Sequence, residues 1–175
     1  MPTMNSTHTA IEVHRTMYAH RAWFRDKMLA AARGLTQEQL RRPFDMGPGG
    51  VFKLLSHCYA AETLWVTLLE GKEVGTPFSP PDDLPTVDAL AELWKATDAR
   101  WRKVLADATD ADLDRPIARV REGKTYTTSF ADVLVHVSMH QMYHAAQFKN
   151  MLRQLGVAEL PMSDFIVYAR EQWKG

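Results

Sequence analysis

Three histidines follow one another at four-residue intervals in the segment HVSMHQMYH, residues 136–144. On an α-helix four positions turn a side chain by about 40° beyond a full revolution, so His136, His140 and His144 lie along one face. Two imidazoles spaced in this way can bind one metal ion, about 2 Å from each nitrogen. The outer two are about 12 Å apart along the axis. The segment therefore offers two alternative metal-binding pairs, His136 with His140 and His140 with His144.

A stable site requires a further ligand, and the sequence favours His57 for this role. It lies midway along another predicted helix, on an apolar background, whereas the remaining histidines lie on or before the first helix. Cys58 is adjacent, but neighbouring helical residues point about 100° apart, so we predict a packed thiol. Glu62, five residues beyond His57, is about 140° away and is predicted not to bind the same ion.

A purely structural interpretation of these histidines stays open. An isolated H-x-x-x-H pair occurs often by chance, and a single helical histidine is more often a packed residue than a ligand. The apolar residues beside the row indicate that it faces inward: Val133, Val137, Phe148 and Met151. Burial of an unpaired polar group destabilises a protein by about 1–3 kcal/mol. A bound metal would remove that cost. Metal binding and simple packing are thus both compatible with the pattern.

Helical segments separated by short breaks position these side chains. Four principal helices are predicted from the apolar spacing, at about residues 9–33, 51–71, 89–105 and 130–156. Between the second and the third, KEVGTPFSPPDDLP is predicted to be a surface connection because its prolines prevent helix formation. The pattern leaves open whether this connection is a short loop or a crossover.

Capping residues predict where several helices begin and end. Gly34 is expected to end the first helix in the left-handed conformation that glycine accepts. Thr128 or Ser129 is expected to begin the fourth principal helix, and Ser163 a short C-terminal helix.

The predicted fold class is all-α. Residues 116–128, PIARVREGKTYTT, favour a hairpin with its turn at Glu122-Gly123. The expected architecture is a four-helix bundle with a short β-hairpin before the fourth helix and a short C-terminal helix, in a single domain spanning residues 1–175. The core is predicted to include three tryptophans: Trp23, Trp65 and Trp101.

The overall composition excludes several classes of protein. Lysine plus arginine and aspartate plus glutamate number 21 each, so the net charge of zero predicts neither a nucleic-acid partner nor an anionic membrane partner. A neutral surface permits self-association. The single cysteine excludes an intrachain disulfide and suits the cytoplasm. No secretory leader and no apolar run of about 20 residues is present, so we expect a soluble cytoplasmic protein.

Four stretches, taken in order, resemble the DinB-like (YfiT-like) family, a family described as metal-dependent enzymes. They are YAHRAWFRDKMLAAARGLTQEQLRRPF, GPGGVFKLLSHCYAAETLW, YTTSFADVLVHVSMHQMYHAAQ, and LRQLG with LPMSDFIVYAR. Together they span nearly the whole chain, and their order and spacing are specific.

The resemblance implies a four-helix bundle, commonly a homodimer, with one divalent metal held by three histidines. His136 falls outside the usual triad, and Gln147 matches a glutamine that follows the last ligand. Many members read His-Arg-Gly-Gln, whereas this chain has Ala145 at the arginine position. The implied metal ligands are His57, His140 and His144.

Three protein nitrogens leave open coordination positions, which is typical of a catalytic metal. Zinc or nickel is expected, and iron, cobalt or manganese is also compatible with such a site. Relatives include thiol-dependent S-transferases, so the resemblance implies a small-molecule substrate and a low-molecular-weight thiol, or water in a hydrolase-like reaction. No catalytic residue can be named from the sequence. The alternative is a non-catalytic bundle that binds metal or acts in stress-related sensing or interaction.

Overall fold

The computed structural model of the chain describes residues 8–74 and 84–173. Within these ranges the helices are α1 (Ala10–Arg33), α2 (Gln37–Arg41), α3 (Val51–Leu69), α4 (Val87–Asp107), α5 (Phe130–Gln154) and α6 (Phe165–Gln172). The strands are β1 (Pro116–Arg121) and β2 (Lys124–Ser129), and one 3₁₀ turn covers Asp110–Asp112. The long helices α1, α3, α4 and α5 form the predicted bundle, with the hairpin before the last of them and α6 at the C-terminus. Most of the predicted connection between α3 and α4 lies outside the described residues.

Side-chain caps explain where three of the four long helices begin, namely α1, α4 and α5. Thr9 and Glu12 form a reciprocal capping box at the start of α1. The Thr86 hydroxyl accepts from the backbone N–H of Ala89 at the start of α4. Ser129 caps α5 by accepting from the backbone N–H of Asp132, so Ser129 is the capping residue of the two that the sequence offered.

Two predicted boundaries are corrected by the structure. Gly34 follows the last residue of α1 as expected, but its φ of −76° is right-handed, so the predicted left-handed ending is wrong. Ser163 does not begin α6, because Asp164 occupies the residue before that helix. Ser163 is buried instead, where its carbonyl accepts from His20 Nε2 at 2.9 Å and its hydroxyl from Lys149 at 3.1 Å.

The short helix α2 was not expected. A capping box between Thr36 and Gln39 begins it, in the sequence TQEQ. The signal was therefore present, but a helix of five residues is too short for apolar periodicity to reveal.

The hairpin agrees with its prediction in both pairing and turn. β1 and β2 are antiparallel, with Ile117 opposite Thr128 and Arg121 opposite Lys124. Glu122 and Gly123 have φ angles of 52° and 73°. Positive φ at both central residues is the geometry that matches the twist of a two-residue hairpin. Because Ser129 ends β2 and caps α5, the hairpin leads directly into the helix that carries the histidine row.

The core forms two clusters along the bundle. One surrounds Phe24, Trp94 and Phe148, and the other surrounds Trp101 and Phe130. Trp101 is buried as predicted. The other two tryptophans are only partly buried and pack at the edges of these clusters, which corrects their assignment to the core: Trp23 and Trp65.

No helix in the described ranges is long and apolar enough to cross a bilayer.

One partly buried ion pair contributes to the pH dependence of stability. Arg100 donates two hydrogen bonds to Glu70, at 3.0 and 2.9 Å, and with Lys72 it lowers the pKa of Glu70 to about 2. A carboxyl whose folded pKa is lowered stabilises the protein above its ordinary pKa and loses that contribution as the pH falls. When the pH falls from 7 to 3, we expect the free energy of unfolding of the wild type to decrease by about 1–2 kcal/mol more than that of Glu70→Gln. Urea unfolding at both pH values measures this, and equal losses would contradict it.

Candidate metal centre

The structure brings three histidines together from two helices. His57 comes from α3, and His140 and His144 come from successive turns of α5. The Nε2 atom of His140 lies 3.1 Å from His57 Nε2 and 3.2 Å from His144 Nε2. One ligand nitrogen from each of the three lies within 4.8 Å of the others. The juxtaposition predicted for these residues is therefore present in the fold.

The donor set and its spacing fit a metal ion. With zinc–nitrogen bonds of about 2.0–2.1 Å, two ligands of a tetrahedral site lie about 3.3 Å apart. The two shortest nitrogen–nitrogen distances, 3.1 and 3.2 Å, are close to this value. His57 is exposed and His140 is partly exposed, so one side of the cluster is accessible from solvent.

Gln147 determines which nitrogen of His144 is free. Its Oε1 atom lies 2.8 Å from His144 Nδ1, and an amide oxygen can only accept a hydrogen bond. Nδ1 therefore carries the proton, and the lone pair of Nε2 points to the cluster. This arrangement orients the ring as an outer hydrogen bond does in known metal sites.

Gln147 is in turn held against the backbone of the loop before α3. Gly47 has a φ of +50°, and a Cβ at this position would lie 2.8 Å from the side-chain carbon Cδ of Gln147. A glycine is thus needed both for the backbone conformation and for the close approach. Glycine and proline in GPGG favour a turn, but no local pattern in the sequence reveals this contact.

The surroundings of the cluster favour neutral imidazoles. Burial, followed by the neighbouring histidines, lowers the pKa of His140 to about 3. Burial also lowers the pKa values of His57 and His144, although the hydrogen bond to Gln147 acts in the opposite direction on His144. A neutral imidazole is the form that binds metals. Among the described residues, none of these three rings is paired with a carboxylate.

Other candidate residues lie outside the cluster. The ring of His136 is 5.8 Å from that of His140 and packs edge-on against Trp65 at 5.1 Å. Cys58 is buried, and burial raises the pKa of its thiol, which agrees with a packed, unreactive cysteine. Glu62 points into the core, where Oε2 accepts from Trp94 Nε1 at 3.0 Å.

Two exposed side chains beside the cluster were not identified from the sequence. Met139 and Tyr143 are 66% and 65% exposed, and the Tyr143 ring lies 5.2 Å from that of His144. On α5, Met139 directly precedes His140 and Tyr143 directly precedes His144, and both side chains are exposed to solvent. Tyr143 therefore presents an exposed aromatic ring beside His144.

Comparison with known proteins agrees with this architecture. The sequence model of the DinB family matches residues 1–174. A curated relative, Protein DinB of Bacillus subtilis (strain 168), is 22% identical over 158 residues, which cover 87% of this chain and 91% of the relative. The crystal structure of a DinB-like protein from Bacillus subtilis has a TM-score of 0.60 at 18% identity, over 85% of this chain and 96% of that one, and so shares the fold. Because the family match extends over nearly the whole chain, the chain belongs to the DinB family.

Proposed function

We propose that this protein is a metal-dependent enzyme in which one divalent ion is held by His57, His140 and His144. The observation that carries the proposal is the convergence of three Nε2 atoms, two pairs of them at 3.1 and 3.2 Å, on the accessible side of the bundle. Three protein ligands leave room for a further ligand, which is typical of catalytic rather than structural metal sites. Zinc or nickel is the expected ion, with iron, cobalt or manganese as alternatives.

The proposed reaction is attack of a small thiol on an electrophilic small molecule. The ion would supply Lewis acidity that lowers the pKa of a bound thiol or water. A thiol, with an ordinary pKa of about 8.5, needs a far smaller reduction than water at about 15.7. In the described part of the chain, no carboxylate pairs with the cluster, and Glu62 accepts a hydrogen bond from Trp94 in the core. The described residues therefore supply no general base for hydrolysis. These features support a thiol transferase over a hydrolase.

The chain's own residues contribute orientation and access. Gln147 keeps the proton of His144 on Nδ1, which leaves Nε2 unprotonated. Tyr143 offers an exposed aromatic ring beside His144 on which an electrophile can pack. The histidines are neutral at neutral pH because burial lowers their pKa values.

The test is thiol-dependent turnover of a generic electrophile. Zinc- and nickel-loaded protein is mixed with a halo-dinitrobenzene and a series of small thiols, and product formation is followed by absorbance. We expect turnover that disappears after chelation and returns when the ion is added back. A bound ion without turnover for any common thiol would instead support the non-catalytic binding or sensing bundle.

Gly47→Ala tests the support that Gln147 gives to the proposed site. The new Cβ would displace Gln147 and release His144, so we expect zinc affinity to fall about 10–100-fold. Competition with a chromophoric chelator measures this affinity.

The matched control is Gly49→Ala. Gly49 also has a positive φ, of +89°, but a Cβ there would meet nothing closer than the Phe44 carbonyl oxygen at 3.8 Å. The control carries the backbone strain without the displacement of Gln147. An equal loss of affinity in both variants would show that strain, not Gln147, is responsible.

A further inference from the structure

A cavity of about 520 Å³ lies between the hairpin, α3 and the first half of α5. This volume is within the range of small-molecule binding sites, about 300–1,000 Å³. Its walls are largely apolar and come from all three elements: Trp65, Ile117, Tyr126 and Val133. The cavity therefore offers a small ligand a partly open, largely apolar pocket.

Arg119 is the charged group in this cavity that is available to a ligand. Its guanidinium carbon lies 5.4 Å from the centre of the Trp65 ring. Within the described residues no carboxylate or carbonyl accepts a hydrogen bond from it. The other charged residues of the cavity already have partners within the protein. Arg121 pairs with Glu122 at 3.2 Å, and Asp132 accepts hydrogen bonds from Thr128 and Ser129.

The cavity adjoins the candidate metal centre. His136 lines the cavity and packs against Trp65, and one helical turn further along α5 lies His140, with a ring separation of 5.8 Å. One turn advances about 6 Å along the helix axis. A ligand seated in the cavity and extending past His136 therefore approaches the three histidines.

We propose that this cavity binds a small organic carboxylate, with the carboxylate on Arg119 and an apolar body against Trp65 and Val133. A guanidinium matches a planar carboxylate through paired hydrogen bonds. Glu122 and Asp132 also line the cavity, and they repel a phosphate dianion more strongly than a singly charged carboxylate, so phosphate fits less well. That this ligand is the substrate, with its reacting atom at the histidines, rests on the proposed function. The binding itself does not require the metal.

The experiment compares 4-phenylbutyrate with its neutral amide, 4-phenylbutyramide, by ligand-observed NMR titration of the full chain. Both metal-free and zinc-loaded protein are used. In the wild type we expect the carboxylate to bind about tenfold more tightly than the amide, because the neutral amide cannot form charge-assisted hydrogen bonds with Arg119. Arg119→Gln is expected to bring the two affinities to within about twofold.

Arg121→Gln is the matched control, because Arg121 lies two residues along the same strand and on the same face, yet is paired with Glu122. It is expected to keep the preference for the carboxylate. Equal affinities in the wild type, a preference retained in Arg119→Gln, or a preference lost equally in Arg121→Gln would each overturn the proposal. If the protein binds the carboxylate but takes up no zinc, the result contradicts the proposed enzyme function and supports the carboxylate site.

Discussion

Replacement of His140 by alanine is expected to abolish stoichiometric metal binding. His140 Nε2 lies between the other two ligand nitrogens, at 3.1 and 3.2 Å, so its removal leaves two imidazoles without the central donor. We expect zinc affinity to fall by more than about 100-fold, because loss of an outer hydrogen bond alone costs about 10–100-fold. The measurement is elemental analysis of protein purified without a histidine tag, together with zinc titration.

His136→Ala is the matched control for this prediction. His136 lies on the same face of α5, one turn earlier, but packs on Trp65 outside the cluster. It is expected to keep one ion per chain. If His136→Ala loses metal as fully as His140→Ala, the assignment of the triad is wrong. If His140→Ala keeps its metal, the proposed centre is wrong altogether.

The largest expected effect on stability comes from Glu62, which neutralises a buried arginine. Glu62 is 3% exposed, and its Oε1 atom lies 3.6 Å from Arg21 Nε. Arg21 is enclosed by aromatic rings, with its guanidinium carbon 4.4 Å from the centre of Trp101. Glu62→Gln keeps the shape but removes the nearest counter-charge of the arginine, which costs about 3–5 kcal/mol. For a chain of this size we expect the melting temperature to fall by about 10 °C.

Two further variants separate this effect from a general sensitivity to charge changes. Asp107→Asn removes the exposed pair of Asp107 with Lys103 and is expected to leave stability nearly unchanged. Combining Arg21→Met with Glu62→Leu removes both buried charges and is expected to recover part of the loss, since Trp94 Nε1 then lacks its acceptor. Urea unfolding of all variants provides the comparison. A Glu62→Gln protein as stable as Asp107→Asn would show that the buried pair does not stabilise the fold.

Much of the fold follows from local signals. The long helices, the hairpin turn at Glu122-Gly123 and the cap at Ser129 all depend on residues close in sequence. The errors lie where local signals are weak or compete. Ser163 resembles a cap, but the tertiary partners His20 and Lys149 bind it instead.

Several expectations from the sequence remain predictions: the single domain, the cytoplasmic location, the homodimer and the absence of nucleic-acid and membrane partners. The thiol partner and the identity of the ion belong to the proposed function, and the experiments described above address them.

The spacing of His136, His140 and His144 is enough to predict a shared helix face, because the helical repeat alone places every fourth residue there. Helix geometry could not choose between the two pairs. That choice depends on the position of His57. The Nε2 atom of His57 lies 3.1 Å from His140 Nε2 because α3 packs on α5. The contact of Gln147 with Gly47 joins residues 100 positions apart. Such contacts are fixed only when the core brings the elements together, since no local preference of either segment specifies the other.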